Sequence, residues 1–213
     1  MTYEHSNTGN KAKQQWFWIS TMAIDEIDHA RHDYFNLFTL PFIVVLSTAY
    51  MVDGSRQYLW NYVLSFSAYI LADTIWVVVK PRCVASPTTI VVHHVVVQVG
   101  LITLLYMEPS LARLCGCGGM IEVNTFFLIA RRNFRDSKII SFFFWLSWIP
   151  VRCIMGPFLS GSILFALRKQ MPLEEYVSAT IMLLITLALN ILNFKWTYDL
   201  FKKQNTGKLD KGL

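Results

Sequence analysis

Six long apolar runs, almost empty of charge, limit this 213-residue chain to very few folds. They cover residues 34–52, 57–79, 83–107, 114–130, 139–167 and 176–194, the last continuing amphipathically to 201. A helix that crosses a bilayer needs about 20 mostly apolar residues, so each run is long enough, or nearly so. Only 15% of residues are charged, against about 25% in a typical soluble domain, and those charges cluster between the runs. The pattern predicts an all-α, polytopic membrane protein of about six transmembrane helices. We read residues 1–33 as a cytosolic N-terminal tail, 34–201 as the transmembrane domain and 202–213 as a basic cytosolic tail. A shorter apolar patch, residues 16–24, is expected to lie in the membrane interface.

Lys and Arg set the orientation. With six spans, thirteen fall on the side of the two termini: Lys11, Lys13, Arg31, Lys80, Arg82, Arg131, Arg132, Arg135, Lys138, Lys202, Lys203, Lys208 and Lys211. Four fall on the other: Arg56, Arg113, Arg168 and Lys169. Both termini are therefore expected in the cytosol. The net charge of +5 does not indicate nucleic acid, because the basic residues sit in loops and form no stripe with aromatics. The polar N-terminus lacks the apolar core of a cleaved signal peptide. Cys83, Cys115, Cys117 and Cys153 lack both disulfide-framework and zinc-site spacing, and no metal is expected.

Ionisable groups at membrane depth are costly and tend to mark function. Asp73 lies six residues before the end of the second run. The third helix, its antiparallel neighbour, starts from the cytosol near Thr88, which puts His93 five residues in and His94 six. At about 1.5 Å of rise per residue, all three share a depth of roughly 8–9 Å from the helix ends. Glu122 is only slightly deeper, and Gln98 and Asn124 add hydrogen-bonding groups at nearby levels. His93, His94, Asp73 and Glu122 are the candidate catalytic residues, since a carboxylate can fix the tautomer of a histidine acting as base or nucleophile. Adjacent helical residues point about 100° apart, so one histidine is expected to face a cavity and the other to bond a neighbouring helix. The alternative is that all four are interhelical hydrogen-bond anchors. Arg152, in the fifth run, is read either as a partner for a carboxylate or lipid head group, or as a side chain snorkelling to the lumenal interface. His5, His29 and His32 are read with the N-terminal tail, leaving too few histidines for the boxes of a di-iron desaturase. No run carries the regular polar stripe of a channel.

An ordered series of motifs accompanies these residues. Asp73 sits in AYILADTIW and His93-His94 head an apolar helix. IEVNTFFLIARRN occupies residues 121–133, IPVRCIMGP residues 149–157 and LNILNFKW residues 189–196. In this order the series resembles the TLC-domain family, named for translocating-chain-associating, longevity-assurance (ceramide synthase) and ceroid-lipofuscinosis proteins. The resemblance implies a helical barrel around a lipid-sized cavity in the endoplasmic reticulum and a role in lipid metabolism. In the ceramide-synthase branch the paired histidines belong to the site that joins an acyl chain from coenzyme A to a sphingoid amine. The chain departs from that branch after the His-His helix, where Tyr106-Met107-Glu108-Pro109-Ser110 stands in place of His-Asp-x-x-Asp. It is thereby nearer the small TLC-domain proteins, linked to membrane lipid composition. The expected function is lipid metabolism, with ceramide-synthase-like acyl transfer (ceramide biosynthesis) as one form. Non-enzymatic lipid binding, lipid homeostasis or cargo reception is the alternative. The resemblance implies no tightly bound cofactor, acyl-CoA as co-substrate, a sphingoid base or lysolipid as acceptor, membrane lipids as partners and a homodimer as a candidate assembly. Gln98, Asn124, Arg152, Asn193 and Trp196 are the candidate substrate-binding residues.

Overall fold

The computed structural model describes residues 8–205, with side chains for 26–202. His5 and the last eight residues lie outside it, as do the side chains of the 16–24 patch. Eight helices follow in order: α1 (Thr8–Asp53), α2 (Arg56–Val79), α3 (Pro87–Leu104), α4 (Pro109–Gly116), α5 (Ile121–Asn133), α6 (Lys138–Trp148), α7 (Met155–Ala166) and α8 (Leu173–Asn205). No strand occurs among the described residues. Six helical stretches are long and apolar enough to cross a membrane: Glu26–Asp53, Arg56–Val79, Pro87–Leu104, Pro109–Asn133, Lys138–Ala166 and Leu173–Lys202. The chain is a multi-pass membrane protein.

The stops between helices are written locally. α1 ends at Gly54, whose φ of +73° lies in the left-handed region that a side chain disfavours. The Arg113 guanidinium covers that end by donating to the Met51 and Val52 carbonyls, two of the acceptors a helix C-terminus leaves open. The Ser55 hydroxyl then accepts from the Tyr58 amide and starts α2. Glu108 starts α4 in the same way, its carboxylate accepting from the amides of Ser110 and Leu111 at 3.0 and 2.9 Å. The fourth span is α4 and α5 joined by a 3-10 turn, Cys117–Met120. The fifth is α6 and α7 joined by a π-helical turn, Ile149–Ile154, at Pro150. Proline removes a backbone donor and forces the wider turn.

The spans close into a ring. α1 packs on α2, α2 on α3, α3 on α8 and α8 on α7; α6 packs on α5, and α5 returns to α1. The outer surface is apolar, with Phe38, Leu64, Ile75, Phe158, Leu184 and Ile191 all exposed, as lipid-facing positions must be. Polar side chains are instead buried between helices, among them Asp33, Asn36, Asp73, Asn124 and Arg152. An even number of spans puts Glu26 and Lys202, the outer ends of the first and last spans, at one end of the barrel, the terminal end below.

Candidate functional site

The ring encloses an elongated cavity. Its lining comes from α2 (Tyr62, Phe66), α3 (His93, Val97, Leu101, Leu104), the fourth span (Cys115, Gly118, Glu122), α7 (Leu159) and α8 (Met182, Ile185, Asn190, Asn193). The space among these side chains, counted together with what lies open at its mouth, is about 790 Å³. From His93 to Leu104 the lining of α3 extends eleven residues, about 16 Å at helical rise. The polarity is graded along this axis. His93, Glu122, Asn190 and Asn193 gather nearer the terminal end, whereas Leu101, Leu104, Tyr62 and Met182 line the far end. A hollow with one polar end and a longer apolar remainder has the polarity pattern of a lipid.

The two histidines divide the work as their 100° offset requires. His94 turns away from the cavity into the α1–α2–α3 contact, its Nε2 3.3 Å from Asp73 Oδ2 and its Nδ1 2.9 Å from Thr74 Oγ1. Thr74 spends its own proton on the Ile70 carbonyl at 2.6 Å, so the bond to His94 runs from Nδ1–H to the hydroxyl oxygen. The other carboxylate oxygen, Asp73 Oδ1, accepts from His32 Nε2 at 2.7 Å. Asn36 Nδ2 also approaches that oxygen, at 3.4 Å, and Tyr69 donates to Asn36 Oδ1 at 2.6 Å. Asp73 and one of the paired histidines are therefore in contact, as their equal depth predicts. His93 lines the cavity and stands edge-on to Trp196 at 5.3 Å between ring centres. Its Nδ1 is buried without a hydrogen-bond partner, and no hydrogen bond joins it to Asp73 or Glu122.

Arg152 does not snorkel. The π-turn swings it inward, where it is 5% exposed. Nε donates to Asn124 Oδ1 at 2.8 Å, Nη1 to Asn193 Oδ1 at 3.0 Å and Nη2 to Thr125 Oγ1 at 2.9 Å. The guanidinium also faces the rings of Trp148 and Trp196 at 5.3 and 5.5 Å. Glu122 is buried on the cavity wall. Asn124 is spent on this cation and on Ser147 Oγ and the Phe144 carbonyl, to which its Nδ2 donates at 3.0 and 3.3 Å. Of the candidate residues, His93, Glu122 and Asn193 reach the cavity wall. Trp196 backs His93, and Asp73, His94, Asn124 and Arg152 brace the helices behind. Gln98 lies off the lining, its Oε1 buried and unpaired.

Reading the chain up to residue 33 as tail concealed two residues of these networks, and a third, Asn36, was passed over inside the first apolar run. His32 and Asp33 are buried in α1, not solvated with the tail, and Asn36 lies one turn on. Asp33 accepts from Arg132 Nε at 3.0 Å and Asn133 Nδ2 at 2.8 Å, with a further contact to Arg132 Nη2, tying α1 to α5. Positions 29, 33 and 36 repeat at helical spacing across the start of the first apolar run, and that periodicity was the available signal. Asn190 was also missed. Thr186 gives its proton to the Leu183 carbonyl, Ser160 gives its own to Thr186, and Asn190 Nδ2 donates to Ser160. This one-way chain fixes the Asn190 amide and leaves its buried Oδ1 as an unpaired acceptor.

Fold and site together define a multi-pass helical barrel with an amphipathic interior. The chain belongs to the TLC domain family, whose profile matches residues 29–202, nearly all of the barrel. The domain points to a function related to membrane lipids. No curated protein and no solved structure matches the chain significantly.

Proposed function

We propose that this protein is a membrane-embedded acyltransferase, with His93 as the group that works on the reacting atoms. The observation that carries the reading is His93 itself: an imidazole on the wall of an apolar cavity, at its polar end, with a ring nitrogen free of protein partners. In this reading the acyl chain of acyl-CoA fills the apolar length, and its thioester lies at the level of His93 and Glu122. The acceptor, a sphingoid amine or a lysolipid hydroxyl, loses its proton to the imidazole as its nitrogen or oxygen attacks the thioester carbonyl. The coenzyme A thiolate departs and takes that proton, leaving an amide or ester. Burial of the neutral base beside Trp196 keeps water from competing for the acyl group.

Orientation and location belong to the same proposal. The thirteen-to-four bias of Lys and Arg puts the terminal end in the cytosol, where acyl-CoA is found and where it cannot cross. The endoplasmic reticulum is the proposed membrane, with both termini cytosolic. One observation favours a non-enzymatic second reading, lipid binding in the same cavity: no carboxylate is bonded to His93, while Asp73 is engaged by His32 and His94. Purified protein with labelled acyl-CoA and a panel of sphingoid and lysophospholipid acceptors separates the two. A labelled amide or ester supports acyl transfer. Tight lipid binding with no product from any acceptor supports the second reading and overturns the first.

A further inference from the structure

The turn that joins α4 to α5 reads Cys-Gly-Cys-Gly-Gly, and its three glycines are not equivalent. A β-carbon on Gly116 would stand 2.6 Å from the Tyr50 ring, so that glycine lets the first span pack against the turn. One on Gly119 would stand 2.8 Å from both Ser47 and the Tyr62 hydroxyl, again a packing requirement. Gly118 differs. No atom lies within 4 Å of the place its β-carbon would take, and its φ is not in the left-handed range. Neither packing nor backbone conformation calls for glycine there. What lies in front of it is the cavity, which it helps to line. It sits four residues from Glu122 toward the far end, about 6–8 Å along the axis. A side chain at 118 would therefore project into the passage between the polar end and the apolar end marked by Leu101 and Leu104.

We propose that Gly118 is a specificity-determining residue: its missing side chain keeps the cavity open at mid-length and so sets how long an apolar tail can be accommodated. The inference shares with the proposed function the assumption that the occupant is a lipid, and it needs no chemistry. Each buried methylene contributes about fourfold in affinity. Leucine at 118 adds four carbons to the space, so about four tail carbons lose their place, and affinity for the longest chains falls on the order of 10²-fold. Alanine removes room for about one.

The test uses the full-length protein in detergent and saturated fatty acids from laurate to lignocerate, with bound lipid measured by native mass spectrometry. Wild type is expected to favour long chains. Gly118→Leu is expected to shift the optimum shorter by about four carbons, and Gly118→Ala by about one. Thermal unfolding reports whether each variant is folded; if the leucine variant is not, Gly118→Val takes its place in the series. An unchanged chain-length profile in a folded bulky variant overturns the proposal, and so does a wild type that binds no fatty acid. A shifted profile in a protein that transfers no acyl group supports Gly118 and sinks the acyltransferase reading alone. Acyl transfer with an unshifted profile does the reverse.

Discussion

Replacing Arg152 with alanine should destabilise the barrel by about 3–5 kcal/mol. The side chain makes three charge-assisted hydrogen bonds, to Asn124, Asn193 and Thr125, and faces two indole rings. At the average of about 0.6 kcal/mol for interhelical bonds inside membranes, three bonds amount to only about 2 kcal/mol. The larger effect is what remains: Asn124 Oδ1 and Asn193 Oδ1 would stay buried without their donor, and each buried polar group left unsatisfied costs about 1–3 kcal/mol. The two figures are not additive, because they concern one network. The assay is reversible unfolding in bicelles, reported by tryptophan fluorescence, for Arg152→Ala, Asn193→Leu and the double variant. The double variant should lose less than the sum of the two, since the stranded Asn193 acceptor is then gone. Arg152→Lys should recover little, because an ammonium cannot make the three-way fork. Arg152→Ala within about 1 kcal/mol of wild type, or strictly additive single effects, would refute the reasoning.

Other outcomes follow from the turn and loop geometry. Gly116→Ala and Gly119→Ala should each lose about 1–3 kcal/mol by overpacking against Tyr50 and against Ser47 with Tyr62, whereas Gly118→Ala should hold its thermal midpoint. Glu108→Ala should cost about 1 kcal/mol of α4 capping. Partial burial alone would raise the Glu108 pKa, but the bonds from Ser110 and Leu111 outweigh it and hold it below the ordinary carboxylate value. Its contribution is therefore present above that ordinary value and lost as pH falls through the depressed one, so the gap between wild type and variant should close in acid. In the loop between the second and third spans, burial, with a smaller part from the Asp73 charge, pushes the Cys83 thiol up to about 11. At pH near 8, folded protein should leave Cys83 unlabelled by maleimide while unfolded protein labels fully; fast labelling of the folded chain would contradict its burial.

Hydropathy made the six spans legible because an apolar run of membrane length has few other outcomes. The shared depth of Asp73 and His94 was legible too, since depth follows from counting residues between helix ends. What counting cannot supply is azimuth. Which histidine faces the cavity, and whether Arg152 turns inward, depend on helix rotation set by packing and, for Arg152, on the π-turn at Pro150. The first span starts earlier than its hydropathy suggests, because His32, Asp33 and Asn36 are polar yet buried by partners on α2 and α5, and no local pattern names those partners. Asn190 and Gly118 were invisible for a related reason: an amide whose partners lie on another helix, and a glycine that matters for the space before it, leave no trace in composition.

The central claim is that His93, not His94, works on the reacting atoms. Single-turnover transfer from labelled acyl-CoA by wild type, His93→Ala and His94→Ala tests it most directly, with a folded-state check on each. Loss of a general base typically costs about 10²–10⁴ in rate, and that loss is predicted for His93→Ala with lipid binding and stability retained. His94→Ala should chiefly destabilise the α1–α2–α3 contact held through Asp73, lowering the thermal midpoint more than the rate per folded molecule. Transfer at the wild-type rate by folded His93→Ala would contradict the claim.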